Sequence, residues 1–219
     1  MLGGFRTLAA DLAWLRGYHA WEMRDAVATE AMLWLATSLD GRVLPFWLNG
    51  ARMIAYDFPA WQIQEAGGSH GLSLQQQSTI GEVHARRAIA FLAEGMADHP
   101  ANAALWVERA NIELHRLKDP GAAAASYRRA AELPGAPYYA ARLYAELLRR
   151  LGQKAEALAW LTGLYPTLPP QLEAAGASVV LQRIRQLETE LSIPAEKSFL
   201  RITPLGTPDR TLTGLDSTL

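Results

Sequence analysis

The 219-residue chain contains no cysteine. Disulfides, thiolate metal sites and cysteine nucleophiles are therefore excluded. An excess of charge is also missing: 21 basic residues stand against 22 acidic ones, for a net charge of −1. Both signs are interspersed, so no general attraction to nucleic acid or to an anionic membrane is expected. Runs of valine, isoleucine and threonine are scarce beside alanine, leucine and arginine, which favours helix over sheet. No apolar run approaches the roughly 18–20 residues that span a bilayer. The opening MLGGFRTLAADLAWLR is interrupted by Arg6 and Asp11 and lacks the apolar core of a signal peptide. Signatures of catalysis are absent too: there is no GxSxG elbow, P-loop, GxGxxG or HExxH. None of His19, His70, His84, His99 and His115 pairs with another ligand at zinc spacing, so neither metal nor cofactor is expected.

What the chain does have is helical periodicity, with half of its residues hydrophobic. Leu8, Leu12, Leu15 and Ala20 predict the buried side of a helix over 7–24, with Trp14, Tyr18 and Trp21 one position round. Met32, Leu33, Leu35 and Leu39 mark a second helix over 26–39, ended by Asp40-Gly41. A third begins near Pro45, carries Trp47, Gly50, Ala51 and Ile54 in large–small–small–large order, and is expected to break at Asp57-Phe58-Pro59. The polar stretch 67–78 (GGSHGLSLQQQS) reads as an inserted loop. Helices are then expected over 79–97 (Val83, Ala88, Ile89, Leu92 and Met96 inward), 103–117, 121–133, 136–151 and 154–165. After Pro166, Pro169 and Pro170, residues 171–191 read as a capping helix, with Leu172, Val180, Ile184, Leu187 and Leu191 on one side. The stretch 193–219 has no period and reads as a disordered tail.

The last four of the array's helices repeat at a fixed step. Lys118 and Gly152 occupy equivalent helix–helix turns 34 residues apart, and Ala123/Ala157, Tyr127/Leu161 and Ala130/Leu164 match at the same step. A 34-residue period carried by helix pairs resembles the tetratricopeptide (TPR) repeat. That resemblance implies an all-α fold: four helix pairs in a right-handed α-solenoid over residues 1–192, closed by the capping helix. It also implies a non-enzymatic protein–protein interaction scaffold or complex subunit. The first helix of each pair lines a concave groove. By repeat position the candidate partner-binding residues are Arg52 and Tyr56; Glu108, Asn111 and His115; and Tyr139, Arg142, Glu146 and Arg149. Arginine and asparagine there suit a peptide backbone or carboxylate. Two alignments of the 103–117 helix remain open, one on Trp106 and Ala110, the other on Val107 and Ala110. The alternative function is a small-molecule or enzymatic site, with the 67–78 loop closing over a pocket that holds His70 or His84 near a carboxylate. A third reading makes the tail a docking segment.

The first half is also similar to a narrower group. Gly3, Gly4, Phe5, Arg6, Ala10, Asp11, Trp14, Leu15 and Arg16, then Thr37, Leu39, Asp40, Trp47, Ala51, Ala55 and Tyr56, resemble the opening of uncharacterised bacterial TPR proteins. Gly95 and Pro100 carry the likeness on to about residue 118, while Gly41 and the 67–78 stretch depart from it. Members usually carry a membrane anchor upstream of the Gly-Gly-Phe-Arg segment, whereas this chain starts at Met1 just before it. The resemblance thus implies a protein partner, with membrane association through that partner or through a missing anchor. The compartment stays open between the cytoplasm and a membrane-associated or periplasmic place in a bacterium.

Overall fold

A computed structural model describes residues 3–169 and 171–199. The protein is all-α, with no strand among the described residues. It divides into two units, residues 1–147 and 148–219.

The first unit opens with α1 (Gly3–Glu22) packed along α2 (Ala26–Leu39). Asp25 caps α2 by accepting from the Ala28 N–H at 2.9 Å. The face of α1 that packs is not the leucine face. Ala10, Ala13 and Gly17 are buried there, while Leu8, Leu12 and Leu15 are exposed. Small side chains let the two axes approach: a Cβ added to Gly17 would meet the Met32 Cβ at 3.0 Å. In α2, Leu33 is buried as expected and Leu35 is exposed.

Next comes α3 (Leu44–Arg52), which does not stop before Pro59. It runs through a π turn, Met53–Asp57, directly into α4 (Phe58–Glu65). Pro59 has no N–H to give, and its ring crowds the carbonyl four residues back. The widened turn, in which the Phe58 N–H reaches the Met53 carbonyl, makes room for it. The 67–78 stretch is not a loop throughout either. It holds a short helix, α5 (Gly68–Gly71), and the start of α6 (Leu74–Asp98). A reciprocal capping box explains this: Ser73 Oγ accepts from the Gln76 N–H at 3.3 Å, and Gln76 Oε1 accepts from the Ser73 N–H at 2.8 Å. Glutamines that look loop-like in sequence therefore form the first turn of a helix. The buried side of α6 is Gly81, His84, Ala85, Ala88, Phe91, Leu92 and Gly95, and Val83 is exposed.

Phe91 sits at the centre of the core. Trp34 meets it edge-on with centroids at 4.8 Å, and Trp47 lies at 4.9 Å. Around them pack Leu33, Ala51, Ile54, Phe58, Leu92, Leu105 and Ile112. Burial of each large side chain contributes about 1.5–3 kcal/mol. A smaller cluster joins α1 to α3 through Trp14 stacked on Phe46 at 4.8 Å.

The remaining helices of this unit are α7 (Ala103–His115), α8 (Pro120–Ala131) and the start of α9 (Tyr138–Arg150). Asn102 and Asp119 cap α7 and α8. Between α7 and α8 the buried Glu113 accepts from Ser126 Oγ at 2.6 Å and pairs with Arg109 at 2.8 Å. Lys118, in the turn, is left-handed at φ 55°, as is Gly152 at φ 82°, 34 positions later.

The second unit contains the end of α9, α10 (Lys154–Leu164) and α11 (Ala177–Glu190), with α10 packed on α11. Its core holds Ala157, Leu161, Leu168, Ala175, Val180, Ile184 and Leu187. The terminal helix begins at Ala177 rather than at 171, because a 3-10 turn, Glu173–Ala175, and the left-handed Gly176 precede it; Leu172 is exposed. Lys154 bridges to Glu190 at 3.0 Å. The expected tail is ordered over 193–199: Ala195–Lys197 form a 3-10 turn, Phe199 meets the Tyr165 ring edge-on, and its N–H reaches Glu188. The rest of that stretch, 200–219, lies outside the described residues.

Candidate functional site

Within the first unit, side chains from α3, the π turn, α7, α8 and α9 converge on one polar cluster. Arg52 closes α3, and Tyr56 lies in the π turn four residues on. Glu108 and Asn111 lie one helical turn apart on α7, and Tyr127 projects from α8. Arg116 follows α7, and Tyr139 sits in the first turn of α9.

The anchor is Glu108, which is buried although charged. Arg52 donates to its Oε2 through Nε at 2.8 Å and through Nη2 at 2.7 Å. Ionised donors and acceptors give the stronger class of hydrogen bond, and the carboxylate holds the arginine proton more firmly than usual. Tyr127 donates its phenolic proton to Asn111 Oδ1 at 2.6 Å. Its phenol is pushed up to about 12, first by burial and then by the nearby Tyr139, Tyr56 and Glu108. Tyr56 is raised likewise, by burial first and Glu108 second, with Arg116 and Arg52 working against the shift. These phenols therefore stay neutral hydrogen-bonding groups at ordinary pH.

Arg116 is the cation of the cluster that no carboxylate pairs with among the described residues. Its guanidinium lies over the Tyr56 ring, 5.5 Å from the centroid, and its Nε is buried without a hydrogen-bond partner. Gly81 leaves space for it, since a Cβ there would stand 3.1 Å from Nη2.

Of the residues expected from repeat position, the fold thus brings together Arg52, Tyr56, Glu108, Asn111 and Tyr139. His115 is exposed at the end of α7, with no hydrogen bond or ion pair to the cluster. Arg142 and Glu146 lie on α9 and each engages a neighbour. Arg149 belongs to the second unit, near the Glu190 carboxylate. Sequence reasoning missed Arg116 and named Tyr127 only as a match to Leu161 at the 34-residue step. Arg116 carried a signal all the same: it sits one position beyond the candidate His115, at the mouth of the α7–α8 turn.

The two histidines considered for catalysis are differently placed. His70 is exposed on α5. His84 is buried, its Nε2 3.0 Å from Gln62 Oε1 and its ring edge-on to Phe58. Burial first, then Arg87 and Arg116, lowers its pKa, and its partner is an amide rather than a carboxylate. Among the described residues no group of three His, Cys, Asp or Glu is placed to hold a metal ion. No described helix is long and apolar enough to cross a membrane. A cleft of about 370 Å³ lies apart from the cluster, lined by Arg6, Leu39, Asp40, Gly41, Arg42 and Asp98. Asp40 there is held well below the usual carboxylate range, first by Arg42 and then by Thr7.

Comparison with protein-family models, with curated proteins and with solved structures finds no match to this chain.

Proposed function

We propose that this chain is a non-enzymatic protein–protein interaction scaffold, built from TPR-type helix pairs in a right-handed solenoid, that holds a segment of a partner protein along the tyrosine–arginine cluster. The observation that carries this reading is the composition and state of the cluster. Tyr56 and Tyr139 offer partly exposed rings and hydroxyls, a residue type that concentrates binding energy at interfaces. Arg52 is already neutralised by Glu108, while Arg116 is held by a ring and lacks a carboxylate. The complementary ligand is a chain that brings its own carboxylate, from an acidic side chain or a C-terminus, and lets it meet Arg116. The left-handed residues at the two turns of the 34-residue step support the repeat reading. A membrane-proximal assembly is part of the proposal, through the partner or an anchor beyond this chain.

The test is affinity purification of the tagged native chain in mild detergent, with the membrane fraction kept, beside Arg116→Ala and Tyr56→Ala variants. One or two proteins recovered near stoichiometrically with the native chain, and lost with both variants at unchanged helix content, support the reading. Recovery of the chain alone, or of partners indifferent to both variants, overturns it.

A further inference from the structure

α1 is amphipathic the wrong way round for a helix in an isolated globule. Its small residues, Ala10, Ala13 and Gly17, face α2, and Trp14 and Trp21 face α3 and the π turn. Its other large apolar side chains point away from the rest of the unit. Phe5 is 74% exposed, Leu8 56%, Leu12 54% and Leu15 61%. They form a single stripe opposite the packed face. Apolar stripes of this kind mark surfaces that bury themselves against something else.

The spacing of the stripe says what it fits. Residues 5, 8, 12 and 15 alternate steps of three and four, the a and d positions of a heptad seam. Asp11 then falls at g and Arg16 at the following e, flanking the stripe on opposite sides. Both are exposed, and neither has an ion-pair partner among the described residues. When two identical helices pair in parallel, each g residue faces the e′ residue five positions on in the other helix. Asp11 of one copy would therefore meet Arg16 of the other, twice by symmetry. Antiparallel pairing would set g against g′ and e against e′, bringing like charges together.

We propose that the exposed face of α1 is a homodimer interface, in which α1 of one copy pairs in parallel with α1 of a second copy through Phe5, Leu8, Leu12 and Leu15. Two apolar heptads are too few for free peptides to coil. Here each helix is already formed and held by α2, so association carries no cost of helix nucleation. The rest of the unit lies on the far side of α1 and does not obstruct the approach. A lipid surface is the less suitable occupant. An interfacial helix carries a lysine- and arginine-rich polar face, whereas α1 has Arg6 and Arg16 offset by Asp11 and Glu22. This inference is independent of the tyrosine–arginine cluster, which lies on other elements.

The test uses the full chain and reads its mass by sedimentation equilibrium and light scattering. A dimer is expected. Asp11→Arg or Arg16→Asp alone should weaken it about tenfold by placing like charges across the seam, and the two together should restore it. Leu12→Glu should give a monomer with unchanged far-ultraviolet circular dichroism. Because the chain lacks cysteine, Leu12→Cys reports the register directly: parallel a–a′ contact yields a disulfide-linked dimer on mild oxidation. A native chain that stays monomeric at its highest soluble concentration overturns the proposal. So does a dimer indifferent to the charge swap. A monomer that sediments with phosphatidylcholine vesicles, and loses this with Leu12→Glu, overturns it in favour of lipid.

Discussion

Arg52 and Glu108 stand 56 positions apart in sequence, yet two guanidinium nitrogens reach one carboxylate oxygen at 2.8 and 2.7 Å. The partners are unequal in exposure: the arginine side chain is half in solvent, the glutamate almost entirely buried. Removing the arginine leaves a buried carboxylate unpaired. Arg52→Ala is therefore expected to lower stability by about 1–2 kcal/mol, the lower part of the range because solvent screens the pair. Glu108→Gln should cost less, since an amide still accepts from Arg52. Urea unfolding midpoints at neutral pH check the order.

Gly95 packs against the face of Trp47. An alanine Cβ there would stand 2.7 Å from the indole ring, closer than real contacts allow. Trp47 cannot retreat easily, because its Nε1 donates to the Gly41 carbonyl at 2.7 Å and its ring lies against Phe91. Gly95→Ala should destabilise by about 1–3 kcal/mol despite alanine's better helix propensity. A raised melting temperature in calorimetry would contradict the packing.

His84 makes stability depend on mildly acidic pH. Burial, with Arg87 and Arg116 nearby, puts its folded pKa below the ordinary 6.5. The unfolded chain binds the proton more readily, so the contribution is fully present above the unfolded value and is lost as pH falls through and below it. Stability of the native chain should decline between about pH 7 and 5. His84→Gln should flatten that slope, read from urea midpoints across the range.

Lys118 is left-handed at φ 55° in the α7–α8 turn, a conformation costing a side-chain-bearing residue about 1 kcal/mol. Glycine already occupies the matching place 34 residues later, at Gly152. Lys118→Gly should therefore raise stability by up to about 1 kcal/mol without altering the turn, in which the Asp119 N–H bonds the Glu113 carbonyl at 3.0 Å. Thermal unfolding of the variant against the native chain checks it.

Much of the architecture was legible beforehand because its causes are local. Asp40 ends α2, and the turns at Lys118 and Gly152 fall where the 34-residue step puts them. Ala123 and Ala157 are both buried, as are Tyr127 and Leu161. Half of the candidate site was legible for a related reason: repeat position names residues on one helix face, and five of the nine named do converge. Arg116 escaped because it stands past the last helical turn, where periodicity no longer assigns a direction. The early start of α6 escaped because the Ser73–Gln76 capping box was hidden within a polar stretch.

By itself, then, the sequence determined that the chain is helical, where most helices stop, and which residues share a face. Tertiary structure alone decided which face turns inward. On α1 both the leucine stripe and the small-residue stripe are regular, and helical period cannot rank them. The choice falls to the neighbour: α2 approaches closely only where Ala10, Ala13 and Gly17 leave room, and the leucines are left outside. The same holds at Pro59, where packing of Ile54 within the π turn and of Phe58 just after it keeps one continuous rod that a proline would otherwise end. Close contact between distant segments made these choices, and no local propensity encodes it.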